Sequence, residues 1–304
     1  MLLAVLALGF AGPAQASPDM PARFERLRSQ DLRVAGVAYR LAIANAARCE
    51  GMRVAQFGFV LHSIDQYGLA DRNDAARSFG LGQQVGVMAV VAGSPAERAG
   101  LVSGDSLIAV NGRMLPTINA GVAPTRASVN RAQALLTEEM ARGPVSLLVS
   151  GAGGERTVRF AAAVGCQANV ELVPGSAVNA WADGTRVIIS EGLLAHCASD
   201  AELALVIGHE MAHNLLHHRQ RLAAAGVTAD RLLLLTASEA IVSRETEEEA
   251  DGLAVKLAAG AGYDLSVAEA FIGGLMDVET AAATHPARDR RLALLHTAIS
   301  ATRE

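Results

Sequence analysis

Residues 204–218 read Ala-Leu-Val-Ile-Gly-His-Glu-Met-Ala-His-Asn-Leu-Leu-His-His. A segment this apolar on one face forms a buried helix, yet it carries two imidazoles and a carboxylate, His209, Glu210 and His213, in among apolar neighbours. Burying polar groups costs free energy unless something satisfies them, so the rest of the chain must fold to supply partners for these three. A spacing of four puts both imidazoles on one helix face about one turn apart. Two nitrogens so placed can reach one Zn²⁺ at roughly 2.0–2.1 Å. Glu210 lies next to the first imidazole but turned aside, where it can act on a water instead of the metal. Two ordinary histidines on a buried helix are the alternative, and the desolvation cost weighs against it.

A zinc ion that does chemistry takes three protein ligands and keeps a fourth position open. The metzincin spacing would put a third histidine six residues beyond His213, but Arg219 stands there. His217 and His218 fall at the wrong phase for that geometry, which makes them solvated or outer groups. Residues 243–251, Ser-Arg-Glu-Thr-Glu-Glu-Glu-Ala-Asp, open another helix, in which Glu247 and Asp251 are four apart and share a face. One carboxylate can bind the metal while the other accepts a proton from a ligand imidazole and fixes its tautomer. For Glu245, Glu248 and Glu249 a solvated acidic first turn, favoured by the helix dipole, is the simpler reading, although the register could make one of them the ligand.

The chain's 304 residues suit two modest domains, each able to bury a core. The net charge of −5 offers no basic surplus for counterion release, which excludes nucleic acid as a partner. The first residues, MLLAVLALGFAGPAQA, form a short apolar run ending in small-x-small, so a signal peptide cleaved after Ala16 is expected, with a periplasmic or secreted product. No Lys or Arg precedes that run, and a buried N-terminal helix is the alternative. A bilayer span needs roughly 20 apolar residues and no later stretch supplies them, so no stable membrane insertion is expected. Of Cys49, Cys166 and Cys197, one stays unpaired if an oxidising compartment joins two. A bond between Cys49 and Cys166 would pin the two ends of an inserted domain; buried free thiols are the alternative.

Apolar positions at near-helical spacing predict a helix over 20–48, then a strand over 53–61 and a loop at Asp71-Arg72-Asn73-Asp74. From 79 to 163 the pattern is strand-rich with Gly at several turns. This region resembles a bacterial-type PDZ domain, on Phe79-Gly80-Leu81-Gly82, Val85-Gly86-Val87, Gly93-Ser94-Pro95-Ala96-Glu97-Arg98-Ala99-Gly100-Leu101 and Gly104-Asp105-Ser106-Leu107-Ile108-Ala109-Val110-Asn111-Gly112. The resemblance implies a peptide added beside an edge strand, its carboxylate taken by the loop Phe79, Gly80, Leu81, Gly82. A helix over 127–141 would form the other wall, with Val129, Ala132, Leu135 and Leu136 as lining. Beyond 170 the chain is helix-rich, with a strand pair over 178–190 around Asp183-Gly184.

The stretch from 170 onward resembles the gluzincin metallopeptidases that include HtpX, the CAAX prenyl endopeptidase, the Oma peptidases and BepA. His209 to His213 matches the family's His-Glu-x-x-His, and Glu247 and Asp251 match its Glu-x-x-x-Asp. The resemblance implies one Zn²⁺ per chain on His209, His213 and Glu247, Glu210 as general base, and Asp251 as an outer partner. Asn179, Ala180, Trp181 and Ala182 match a strand beside the site that pairs with extended substrate. Thr284-His285-Pro286 and Arg291 match late family elements, implying that Arg291 helps stabilise the oxyanion and that His285 lines or blocks the site. The implied architecture is α+β: a mainly helical peptidase domain over 166–304, a PDZ-like insert over 79–163, and an N-terminal helix and connector over 17–78. The expected function is zinc-dependent endoproteolysis of exported or misfolded polypeptides. A latent scaffold that binds peptide termini through the PDZ-like groove is the competing reading; a serine protease lacks its Gly-x-Ser-x-Gly.

Overall fold

The computed structural model describes residues 20–227, 237–278 and 288–302; the expected leader and Thr284, His285 and Pro286 lie outside them. The chain is α+β and folds around two interiors. The first involves α1 (Met20–Ala44), β1 (Arg53–Gln56), β2 (Phe59–His62), α2 (Leu69–Phe79), β3 (Val85–Val90), α3 (Pro95–Arg98), β4 (Ser106–Val110), β5 (Arg113–Met114), α4 (Ala127–Arg142), β6 (Val145–Gly151), β7 (Gly154–Phe160) and β8 (Ala163–Cys166). The second is built from β9 (Asn169–Val173), β10 (Ala180–Ala182), β11 (Arg186–Ser190), α5 (Glu191–His196), α6 (Asp200–Leu215), α7 (His218–Ala224), α8 (Ala237–Gly260), α9 (Ala268–Val278) and α10 (Arg288–Ser300).

An antiparallel sheet in the order β2-β3-β4-β6-β7, with β5 on β4, forms the first part. Its alternation of apolar residues meets α4, whose Val129, Ala132 and Leu136 share a core with Val87, Leu107, Leu147 and Val149. Those α4 residues therefore face inward instead of lining a groove. The sheet reaches back to Phe59, upstream of the expected domain start. Asp71-Arg72-Asn73-Asp74 lies inside α2 and not in a loop: the helix buries only Ala75 and Phe79, and the polar run is its outer face.

β1 and β8 pair as a two-stranded antiparallel ribbon, with Arg53 opposite Cys166 and Gln56 opposite Ala163. Cys49 and Cys166 are bonded at its base, their Cα atoms 5.3 Å apart across 117 positions of sequence. A Cβ on Gly165 would meet the Ala42 backbone at 2.8 Å, so glycine there lets the ribbon lie against α1. Helix α1 serves both parts. Near its start Phe24 stacks edge-on with Phe79, at 5.4 Å between ring centroids; further on, Val34, Val37, Leu41 and Ala42 enter the helical core.

That second core surrounds α6, packed against α8, α1 and the small sheet β10-β11-β9. The expected strand pair is β10 and β11, antiparallel with Trp181 opposite Ile188. A third strand, β9, lies parallel to β11 on its other side. Among the described residues no helix is long and apolar enough to cross a membrane.

Candidate metal centre

Ser199 starts α6: its hydroxyl accepts from the Glu202 backbone N–H at 3.2 Å while the Glu202 carboxylate accepts from the Ser199 N–H at 2.9 Å. The helix then buries Leu203, Leu205, Ile207 and Met211, so it threads the interior with its start fixed. This phase leaves His209 and His213 against α8, where Glu247 and Asp251 project one turn apart. Nε2 of His209 and Nε2 of His213 lie 3.1 Å apart. Glu247 places one oxygen 3.3 Å from the first and the other 3.5 Å from the second. The three side chains are 12 %, 15 % and 12 % exposed, out of bulk water but not sealed from it.

Bonds of about 2.0–2.1 Å in a tetrahedron put ligand atoms about 3.3–3.4 Å apart, and the observed separations bracket that edge. The protonation pattern agrees. Asp251 accepts from Nδ1 of His209 at 2.9 Å, so Nε2 of His209 is the nitrogen that faces His213 and Glu247 and would offer its lone pair once its own proton leaves. Arg291 donates to both oxygens of Asp251, through Nε at 2.6 Å and a terminal nitrogen at 2.8 Å. Burial alone would raise the Asp251 carboxyl, but His209 and Arg291 outweigh it and hold the group below its ordinary range. Burial opposes a proton on His209, yet Asp251 and Glu247 overcome it and raise the imidazole to about 10. Burial and the charge on His209 lower His213 to about 3. The two imidazoles thus share one positive charge opposite the Glu247 carboxylate; a divalent cation would take the place of that proton, and this donor set fits a single Zn²⁺.

Glu210 follows His209 on the same helix, partly buried. Asn179 leads into β10 and exchanges backbone and hydroxyl hydrogen bonds with Ser190. β10 is the outer strand of its sheet and packs on α6, with Trp181 43 % exposed. Asn214, next to His213 and buried, accepts from the Gly184 N–H at 2.7 Å and donates to the Arg186 carbonyl at 3.0 Å, stapling the β10–β11 turn to the metal helix. Asp183 closes that turn by accepting from Thr185 and Arg186, which hold its carboxyl well below the usual range against the opposing effect of burial. Sequence reasoning passed over Asn214, whose signal was an amide beside a ligand on a buried helix. Glu249, weighed as a solvated first-turn acid or a ligand by register, instead accepts from the buried His218. Arg291, implied as an oxyanion donor, is placed with its guanidinium clamped on Asp251 through Nε and one terminal nitrogen. His285 lies outside the described residues.

The loop Phe79, Gly80, Leu81, Gly82 lies at the end of α2, where two of its N–H groups are occupied. Gly80, at φ 67°, ends α2, and the N–H groups of Gly80 and Leu81 both bond the Ala76 carbonyl. They are spent on capping the helix and cannot cradle a carboxylate. The outer strand of the sheet is instead β2, preceded by Phe57 and Gly58. It borders a cleft of about 1510 Å³, with α4 presenting Arg126, Asn130 and Gln133 and with α1 and β9 opposite. Arg126 pairs with Glu171 of β9 at 3.0 Å across the two parts. None of His209, Glu210, His213 and Glu247 lines this cleft.

Residues 153–240 and 226–299 match Peptidase family M48, and residues 86–149 match a PDZ domain. The chain is 32 % identical over 134 residues to the mitochondrial metalloendopeptidase OMA1 of Arabidopsis thaliana, an alignment covering 36 % of this chain and 27 % of the plant protein. The region in which two imidazoles and a carboxylate meet on α6 and α8 is thus similar to peptidase family M48, and a PDZ-domain match stands ahead of its metal-site helices.

Proposed function

We propose that the chain is a zinc-dependent endopeptidase of the cell envelope, holding one Zn²⁺ through His209, His213 and Glu247. The observation that carries this is the convergence of three donor atoms, 3.1–3.5 Å apart, from two separate helices. The ion, when bound, supplies Lewis-acid polarisation of a water and of the scissile carbonyl. Glu210 takes the proton from the attacking water and returns it to the leaving amine. Asp251, clamped by Arg291, keeps the His209 proton on Nδ1 and so keeps Nε2 aimed at the ion. An extended substrate adds along the outer edge of β10 beside α6, with Trp181 offering an apolar surface to a side chain. The PDZ domain takes a second extended segment along β2 in the cleft, delivering exported or misfolded polypeptides. The Cys49–Cys166 bond supports an oxidising compartment, the periplasm or the exterior.

Casein cleavage by purified wild type and Glu210→Gln, with zinc content measured on both, tests the reading. Wild type should cleave and lose activity to a chelator, while Glu210→Gln keeps its zinc and loses about 10²–10⁴-fold in rate. Equal cleavage by the two would remove Glu210 as base; no cleavage by zinc-loaded wild type would favour the scaffold.

A further inference from the structure

We propose that His218, Glu249 and Arg221 form a positioning chain that holds His213 in the orientation that binds the ion. The proposal rests on the metal reading above. His217 has φ 55°, a left-handed conformation uncommon outside glycine. It breaks the chain direction between α6 and α7, and His218, the first residue of α7, returns beneath the metal helix with none of its side chain exposed. Nδ1 of His218 lies 3.0 Å from Nδ1 of His213, and Nε2 of His218 lies 3.0 Å from a Glu249 oxygen. Arg221, one turn along α7, pairs with both oxygens of Glu249.

The direction of these bonds is constrained. An ionised carboxylate only accepts, so Nε2 of His218 carries a hydrogen. A neutral imidazole has one donor and one acceptor nitrogen, so Nδ1 of His218 accepts, and the hydrogen between the two rings belongs to Nδ1 of His213. Nε2 of His213 is then a lone pair, directed at Nε2 of His209 and at Glu247. Each metal imidazole thus has its own backing: His209 the short, buried Asp251–Arg291 pair, and His213 a longer chain running outward through a second imidazole to a carboxylate and a guanidinium. Both carboxylates stand on α8, the helix that also carries Glu247, so one helix sets all three partners of the α6 imidazoles.

The test is the zinc dissociation constant, measured by competition with a chromogenic chelator on full-length wild type, His218→Ala, Glu249→Ala, Glu249→Gln and His217→Gly. Removing a partner of this kind weakens metal binding by about 10–100-fold. His218→Ala should lie at the upper end, Glu249→Ala near the lower end, and Glu249→Gln, which keeps an oxygen acceptor, closer to wild type. His217→Gly, an exposed side chain at a left-handed position, should bind as wild type does. If His218→Ala does not fold, Glu249→Ala decides, because that side chain is 43 % exposed and its loss leaves no hole in the core. Wild-type affinity in both alanine variants overturns the chain while leaving the metal reading intact. Glu249→Gln binding as weakly as Glu249→Ala overturns it in favour of a charge effect. A wild type that binds no zinc overturns both.

Discussion

The two interiors of this molecule are built on opposite terms. Beneath the six-stranded sheet the core is aliphatic, from Val87 and Leu107 through Val129 and Leu136 to Leu147 and Val149. Its buried polar groups sit at the margin and serve turns, as where Asp65 accepts from the Ser63 and Ser128 hydroxyls. Between α6, α8 and α10, by contrast, an ion pair, a histidine chain and a buried amide occupy the centre. The first interior needs nothing from outside to be stable. The second gathers paired polar groups around His209, His213 and Glu247, where a cation fits, so its stability and its chemistry cannot be separated.

Breaking that contrast should be easiest at Arg291. Arg291→Ala leaves the buried Asp251 with His209 in place of its bidentate partner and should cost about 3 kcal/mol, read as a lowered midpoint for the helical part in denaturant; an unchanged midpoint would dissolve the contrast between the two interiors. Next, reducing the Cys49–Cys166 bond frees a long loop and should cost about 2–4 kcal/mol, seen as a lower Tm with dithiothreitol. Stripping zinc should come close behind: an ion present at 100 times its Kd contributes about 2.7 kcal/mol. That loss should appear in amides of α6 and α8 by hydrogen exchange and not in β3, β4 and β6; equal effects in both would erase the comparison. The smallest effect should come from Asp31 of α1, in the cleft between the two parts, where water still reaches. Burial pushes its carboxyl up to about 7, with Arg126 pulling back and Glu191 and Glu171 adding to the rise. An unfolded aspartate loses its proton near pH 4. The folded chain therefore keeps a proton that the unfolded chain has released, and stability falls as pH rises from about 4 to about 7. Asp31→Asn should remove that slope; full burial would make it about 4 kcal/mol, and screening by the water in the cleft cuts the gain at pH 8 to about 1 kcal/mol, with no change near pH 4; parallel stability curves would show that Asp31 carries no such proton.

How much of this could be read beforehand follows from the range of each signal. His209, Glu210, His213, Glu247 and Asp251 were legible because helical spacing of four is a local rule and their apolar surroundings demanded partners. His218 was read as a solvated or outer group, and the structure gives it the outer place beside His213, because the left-handed turn at His217 ends α6 and resets the phase one residue earlier. Phe79, Gly80, Leu81 and Gly82 misled because glycine serves helix ends as readily as binding loops; only the bonds to the Ala76 carbonyl tell the two apart. β9 escaped notice because a short parallel strand is fixed by a partner, β11, that local patterning does not reveal. The polar 71–74 segment looked like a loop because a helix that buries two residues in eleven has almost no apolar stripe.

The paired ribbon and its bond at Cys49 and Cys166 make the sheet part a cassette. Both ends of the insert leave the peptidase at one spot, their Cα atoms 5.3 Å apart, a gap that a short turn could bridge. Excision would leave α1 running directly into β9, and it would uncover the apolar face of α1 around Phe24 and Leu27 that now packs with Tyr67 and Phe79. A fold so arranged can gain, lose or exchange its PDZ part in a single event without rebuilding the helices that carry His209, His213 and Glu247.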